Sequence, residues 1–164
     1  MIKKLEIGFL TMFGIGYSRF APGTMASITT CLIYIFCFVF NVDVKFLIFL
    51  NFIFFFLSIY LIDKNSKKFE TDDAKEIVID EFIGQSIPSL TVYGIFTEVY
   101  IGQFFFFSLI AFIFFRFFDI LKPYPINIVD KKIKNGFGVL FDDILAGIFS
   151  SILILLILFF ISNF

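Results

Sequence analysis

The chain has 164 residues, of which 60% are hydrophobic and 16% charged, with a formal net charge of −1 and a mean hydropathy of +1.00. That composition cannot give a soluble domain a polar exterior, so the expected fold class is all-α: a polytopic membrane helical bundle of four to five membrane-embedded helices, forming one domain over residues 1–164. The chain contains no histidine, which removes phosphohistidine, His-base and His-metal chemistry.

In chain order, Lys3 and Lys4 before Ile7–Gly16 imitate the start of a signal peptide. Glu6 interrupts the pattern and no small-x-small cleavage site follows closely, so the N-terminus is expected to be retained. Gly14-Ile-Gly-Tyr-Ser-Arg-Phe-Ala-Pro-Gly-Thr-Met-Ala-Ser27 comes next. Its glycines, Pro22 and hydroxyls, Ser18 and Thr24 among them, can present backbone N–H groups beside Arg19 at a helix start, which makes an anion site. An ordinary turn before a span is the plainer reading. The first uncharged run, Phe20–Val42, holds Cys31 and Cys37, expected to be packing residues, and Phe46–Ile62 is the second.

Asp63–Glu76 is the one polar stretch and reads as a solvated loop. Glu76-Ile-Val-Ile-Asp-Glu-Phe-Ile-Gly-Gln85 then puts Asp80 and Glu81 at the mouth of the third run, Phe82–Thr97. Helix capping explains one such acid better than two. This run is short, polar at Gln85, Ser86, Ser89 and Thr91, and interrupted by Pro88, so a re-entrant or kinked helix is an alternative to a plain span. After the fourth run, Val99–Phe115, the residues Arg116, Asp119 and Lys122 follow at i, i+3 and i+6, which sets them in a stripe on one helix face until Pro123 stops it. They form either a site or an interfacial ion-pair ladder. A glycine turn from Lys134 leads to Asp142 and Asp143 before the last run, Ile144–Phe164.

Twelve of the 13 basic residues lie within 1–24, 63–81 and 116–143, and Lys45 alone falls between the first two runs. The excess of Lys and Arg in cytoplasmic loops then places all five acids on the cytoplasmic side. Carboxylates beside hydrocarbon are expensive, so five of them at run ends suggest a metal or phosphate site at the membrane surface. Other chemistries lack their parts. Neither cysteine is followed by a phosphate-cradling Arg, no Asp-x-Asp pair exists, and Gly14-x-Gly16 has Arg19 where a dinucleotide loop needs a third glycine. Carboxylates, hydroxyls, Lys and Arg remain, and such oxygen ligands suit Mg²⁺. Only one acid of each adjacent pair is expected to ligate, because successive helical residues point 100° apart.

Four segments together resemble the phosphatidylglycerophosphatase A family. They are Ala21-Pro-Gly-Thr24, Ile77-Val-Ile-Asp-Glu-Phe-Ile-Gly84, Phe115-Arg-Phe-Phe-Asp-Ile-Leu-Lys-Pro-Tyr-Pro-Ile126 and Gly136-Phe-Gly-Val-Leu-Phe-Asp-Asp-Ile-Leu-Ala-Gly147. The resemblance implies a Mg²⁺-dependent membrane enzyme that removes the terminal phosphate of phosphatidylglycerophosphate in phospholipid biosynthesis, multi-pass in the bacterial inner membrane with its site on the cytoplasmic side. Asp80, Asp119 and either Asp142 or Asp143 are the expected metal ligands, and these four aspartates, with Glu81 as the base, are the expected catalytic set. Arg116, Lys122, Arg19, Ser18 and Thr24 are expected to receive phosphate. The expected partners are the lipid phosphate and the bilayer, with no nucleic acid. A small ion or proton-coupled transporter is the alternative, although it would want its acids at mid-bilayer depth.

Overall fold

A computed structural model describes residues 2–65, 74–96, 101–132 and 135–163. Among them are seven α-helices and no strand: α1 Ile2–Leu10, α2 Pro22–Val39, α3 Val44–Asn65, α4 Ile79–Ile95, α5 Ile101–Leu121, α6 Ile126–Lys132 and α7 Gly136–Ser162, with a 3₁₀ turn at Ile15–Tyr17. Helices α2, α3, α5 and α7 are long and apolar enough to cross a membrane. Their outward faces carry exposed Phe, Leu and Ile, including Phe36, Phe49, Phe106 and Phe159, because apolar side chains are at home against lipid.

The third run forms α4, 17 residues of helix that continue through Pro88 without a break. It is more buried than its neighbours: Phe82, Ile83, Gly84, Gln85, Ser86, Pro88 and Ser89 are all inside. Its two ends meet the two ends of α2. At the start, Glu81 abuts Gly23 in the first turn of α2. Near the finish, the Tyr93 hydroxyl donates to the carbonyls of Cys37 (3.1 Å) and Val42, in the turn from α2 to α3. Helix α4 therefore traverses the bundle parallel to α2 and is not re-entrant, since neighbouring helices supply the packing that a Pro-containing helix needs.

The starts of α2, α4 and α7 and the ends of α3 and α5 share one end of the bundle. Asp63 near the end of α3 accepts from the Gly136 N–H at the start of α7 (2.7 Å), and Asn135 accepts from the Gly138 N–H (3.0 Å). These two side chains satisfy N–H groups that the first turn of a helix leaves free. Helix α1 lies against α3 at the same end, where Lys64 donates to Glu6 (2.7 Å) and Asn65 donates to Glu6 (3.3 Å). The Val78 N–H donates to the Leu10 carbonyl (3.0 Å), which ties the end of α1 to the start of α4. At the opposite end, Tyr34, Val92, Tyr93, Phe104, Phe107 and Ile154 form an aromatic-rich core.

Sequence hydropathy places two boundaries differently. Helix α5 continues past Phe115 to Leu121, and α7 begins at Gly136 instead of near Ile144. Arg116, Asp119, Asp142 and Asp143 are thus on helices, where Arg116 pairs with Asp119 along α5 and Asp142 pairs with Lys122 just past its end. The polar stretch from Asp63 divides: Asp63, Lys64 and Asn65 complete α3, and residues 66–73 lie outside the described residues.

Candidate active site

Two helix crossings assemble the acids. Asp80 and Gly84 are one turn apart on α4, and Asp143 and Gly147 are one turn apart on α7. A Cβ on Gly84 would stand 2.7 Å from the Phe115 ring and 2.8 Å from both the Cβ and the carbonyl oxygen of Asp143. A Cβ on Gly147 would overlap the Gly84 carbonyl oxygen and lie 3.1 Å from Ile87. Pro88 contributes to the same contact, because it lacks the N–H that would hydrogen-bond the Gly84 carbonyl. The small-residue contact brings the two backbones close, as small residues do between membrane helices, and the acids one turn earlier are carried together.

Carboxylate oxygens of Asp80, Glu81 and Asp143 lie within 4.8 Å of one another. Asp119 on α5 adds a fourth acid beside Asp143 and Glu81. Asp80 Oδ1 and Glu81 Oε2 are buried and accept no hydrogen bond among the described residues. A buried charged oxygen without a donor costs several kcal/mol of solvation, roughly, unless a cation compensates it. These hard oxygens and their spacing fit Mg²⁺.

Cations flank the acids. Arg116 Nη1 pairs with Asp119 (2.6 Å) and reaches Ser27 Oγ on α2 (3.4 Å), while its buried Nε donates to nothing among the described residues. Gly23 leaves room for this arrangement, since a Cβ there would overlap the Glu81 carboxylate and lie 3.4 Å from Arg116 Nη1. Pro22 occupies the first turn of α2, whose N–H groups are directed to this end of the bundle. Lys122 leaves the expected stripe. Helix α5 stops at Leu121 and Lys122 takes a positive φ of 41°, from which its ammonium pairs with Asp142 on α7 at 2.6 Å. The residue before a proline is disfavoured in a right-handed helix, which explains the departure.

The adjacent acids divide unevenly. Asp143 faces the carboxylate cluster and Asp142 faces Lys122, whereas Asp80 and Glu81 both join the cluster. Ser18 donates to the Phe20 carbonyl (3.1 Å), Arg19 is exposed, and Thr24 is half-buried in the first turn of α2. Sequence reading takes Gly23 only as one of the glycines of an anion-binding loop and gives Gly84 and Gly147 no role of their own. The signal available was the shared spacing of Asp80-x-x-x-Gly84 and Asp143-x-x-x-Gly147.

Comparison with known proteins places the chain in a family. The family profile described as phosphatidylglycerophosphatase A matches residues 8–158. A phosphatidylglycerophosphatase A of Haemophilus influenzae is 35% identical, over 93% of this chain and 86% of its own length. A Bacteroides thetaiotaomicron protein, provisionally named a phosphatidylinositol-3-phosphatase, is 34% identical over 88% of this chain and 87% of its own. A phosphatidylglycerophosphatase A of Escherichia coli is 30% identical over 85% and 75%. No solved structure matches the chain significantly. With these bacterial relatives and four membrane-length helices, the chain is a bacterial membrane enzyme, a phosphatase belonging to the phosphatidylglycerophosphatase A family.

Proposed function

We propose that the protein hydrolyses the terminal phosphate monoester of phosphatidylglycerophosphate, giving phosphatidylglycerol and inorganic phosphate, as a step of phospholipid biosynthesis. One observation carries the reading. Buried carboxylate oxygens that lack donors, on Asp80 and Glu81, lie beside a buried arginine Nε that lacks an acceptor. The first call for a cation and the second for an anion, and a phosphate monoester bound with Mg²⁺ answers both.

Asp80, Asp143 and Asp119 would hold the Mg²⁺, which when bound offsets the gathered negative charge and polarises the phosphoryl oxygens. Arg116 Nε and Nη1 orient the phosphate, and Lys122 neutralises charge as the ester bond breaks. Glu81, set against the start of α2, accepts the proton of the attacking water, and the glyceryl oxygen leaves with a proton from solvent. The basic residues at this end orient it toward the cytoplasm, in the inner membrane, at the headgroup level where the lipid phosphate lies. A transporter reading is not favoured, because the acids gather at one end of the bundle.

Phosphate release from phosphatidylglycerophosphate by detergent-purified protein, with Mg²⁺ or with EDTA, tests this reading, with phosphatidylinositol 3-phosphate as the competing substrate. Release that requires Mg²⁺, prefers the glycerophosphate lipid and disappears in folded Asp143→Asn is expected. Preference for the inositol lipid would replace the substrate. Release undiminished by EDTA would remove the cation.

A further inference from the structure

We propose that the groove between α5 and α7 holds an acyl chain of the lipid whose phosphate enters the carboxylate site, an inference that rests on the lipid-phosphatase reading above. The groove is lined by Phe118, Phe149, Ile152, Leu153 and Leu156 and has a volume of about 280 Å³. All five residues are apolar, and the volume is below the roughly 300–1,000 Å³ of pockets that enclose whole small ligands. It suits a hydrocarbon chain and offers a headgroup nothing to bond.

The register of the groove with the site selects this occupant. Lys122 and Asp142 form the ion pair that joins α5 to α7 at the site, and the Lys122 N–H donates to the Phe118 carbonyl (2.9 Å), one turn further into the bundle. On α7, Phe149 follows Asp142 by two turns on the same face, and Leu153 and Leu156 continue that stripe. The Phe118 and Phe149 rings meet edge to face at 5.7 Å and 88°, and Phe115, Ile126 and Ala146 are buried behind them. From Phe149 to Leu156 the groove descends about 10 Å along the helix axis. Its rim is open to the membrane, with Ile152 49% and Leu156 48% exposed. A lipid with its phosphate beside Lys122 therefore has an apolar channel below it, between α5, which Lys122 follows, and α7, which carries its partner Asp142.

The test compares dipalmitoyl and water-soluble dibutyryl phosphatidylglycerophosphate as substrates for the full-length protein in nonionic detergent. Leu153→Trp fills the groove, and Leu155→Trp places the same bulk on the neighbouring lipid-facing position outside it. The expected result is a fall of about tenfold in kcat/KM on the dipalmitoyl lipid for Leu153→Trp. Its dibutyryl activity and both activities of Leu155→Trp should match the parent. If Leu153→Trp does not fold, Ile152→Phe at the rim carries the same expectation. Equal loss on both lipids, or no loss on either, would overturn the proposal. So would a change in oligomeric state with Leu153→Trp by light scattering, which would give the groove to a second copy. Indifferent groove variants in a parent that releases phosphate from the dibutyryl lipid would sink the groove alone, whereas a parent inactive on both lipids would sink the phosphatase reading beneath it.

Discussion

Helix α4 has two ends built on opposite principles. At its start, Asp80 and Glu81 share a small space with Asp143 and Asp119, Gly84 and Gly147 let α4 and α7 approach while Gly23 leaves room for the Glu81 and Arg116 side chains, and buried oxygens lack donors. At its finish, Tyr93 caps a turn with its hydroxyl, and its ring meets Phe104 edge to face at 6.1 Å while Phe38 stacks on Phe104 at 3.6 Å. One end is arranged for ligands it does not itself supply, and the other is held by its own aromatic packing. Changes to the acids at the start should therefore remove activity while sparing stability, and changes at the finish should do the reverse.

The largest expected effect is at the carboxylate cluster. Asp143→Asn should lower turnover by about 10³-fold or more. Without divalent cation its melting temperature should equal or exceed the parent's, because one of several crowded like charges has gone. Thermal unfolding with EDTA and phosphate release with Mg²⁺ measure both. A large drop in stability without metal would make Asp143 a structural residue and blur the contrast between the ends.

Gly147→Ala should come next. The added methyl would meet the Gly84 carbonyl, so α7 must move away from α4 and Asp143 must leave Asp80. A displacement near 1 Å can reduce turnover about 10²-fold, and overpacking costs about 1–3 kcal/mol. Gly94, around which 4 Å of space is open, is the control: Gly94→Ala should leave activity at the parent level. Equal activity of the two variants would separate the helix crossing from the chemistry.

Far-end packing should respond in the opposite sense. Phe104 is 1% exposed amid Phe38 and Tyr93, and Phe104→Ala should lower stability by about 3–5 kcal/mol. Turnover per folded molecule should stay near the parent's, as measured at a temperature where both remain folded. A specific loss of turnover would show that the far end sets the geometry of the acids.

Much of the molecule was legible in the sequence because lipid imposes a simple requirement: long apolar runs read as helices wherever they occur. The acids were legible for the converse reason, since ionised groups beside such runs need a partner or a ligand. Three features were hidden. Helix starts and ends near charges were misplaced, because Asp142 is paired inside the bundle with Lys122, a neighbour that hydropathy does not see. The traverse of α4 was hidden because Pro88 and its polar neighbours signal interruption locally, while α2 and α7 supply the packing from far along the chain. Gly23, Gly84 and Gly147 were hidden because a missing side chain carries no periodicity, and its purpose appears only against the facing helix.

The smallest expected effect lies just outside the site, at the tether of α1. The hydrogen bond from Lys64, followed by that from Asn65, holds the Glu6 carboxyl below the ordinary glutamate range. A depressed folded value means that the tether's contribution is complete above the unfolded value of about 4.3 and is lost as pH falls through the folded one. Melting temperature should thus fall more steeply below about pH 4.3 in the parent than in Glu6→Gln, with the two curves converging in acid. The difference at neutral pH should be small and should shrink with added salt, because the pair is close to solvent. Turnover should change little, since Glu6 faces α3 and touches none of the clustered acids. If Glu6→Gln instead removed activity as Asp143→Asn does, the site end would extend through α1, and its boundary would have to be drawn at the membrane surface instead of at the helix crossing.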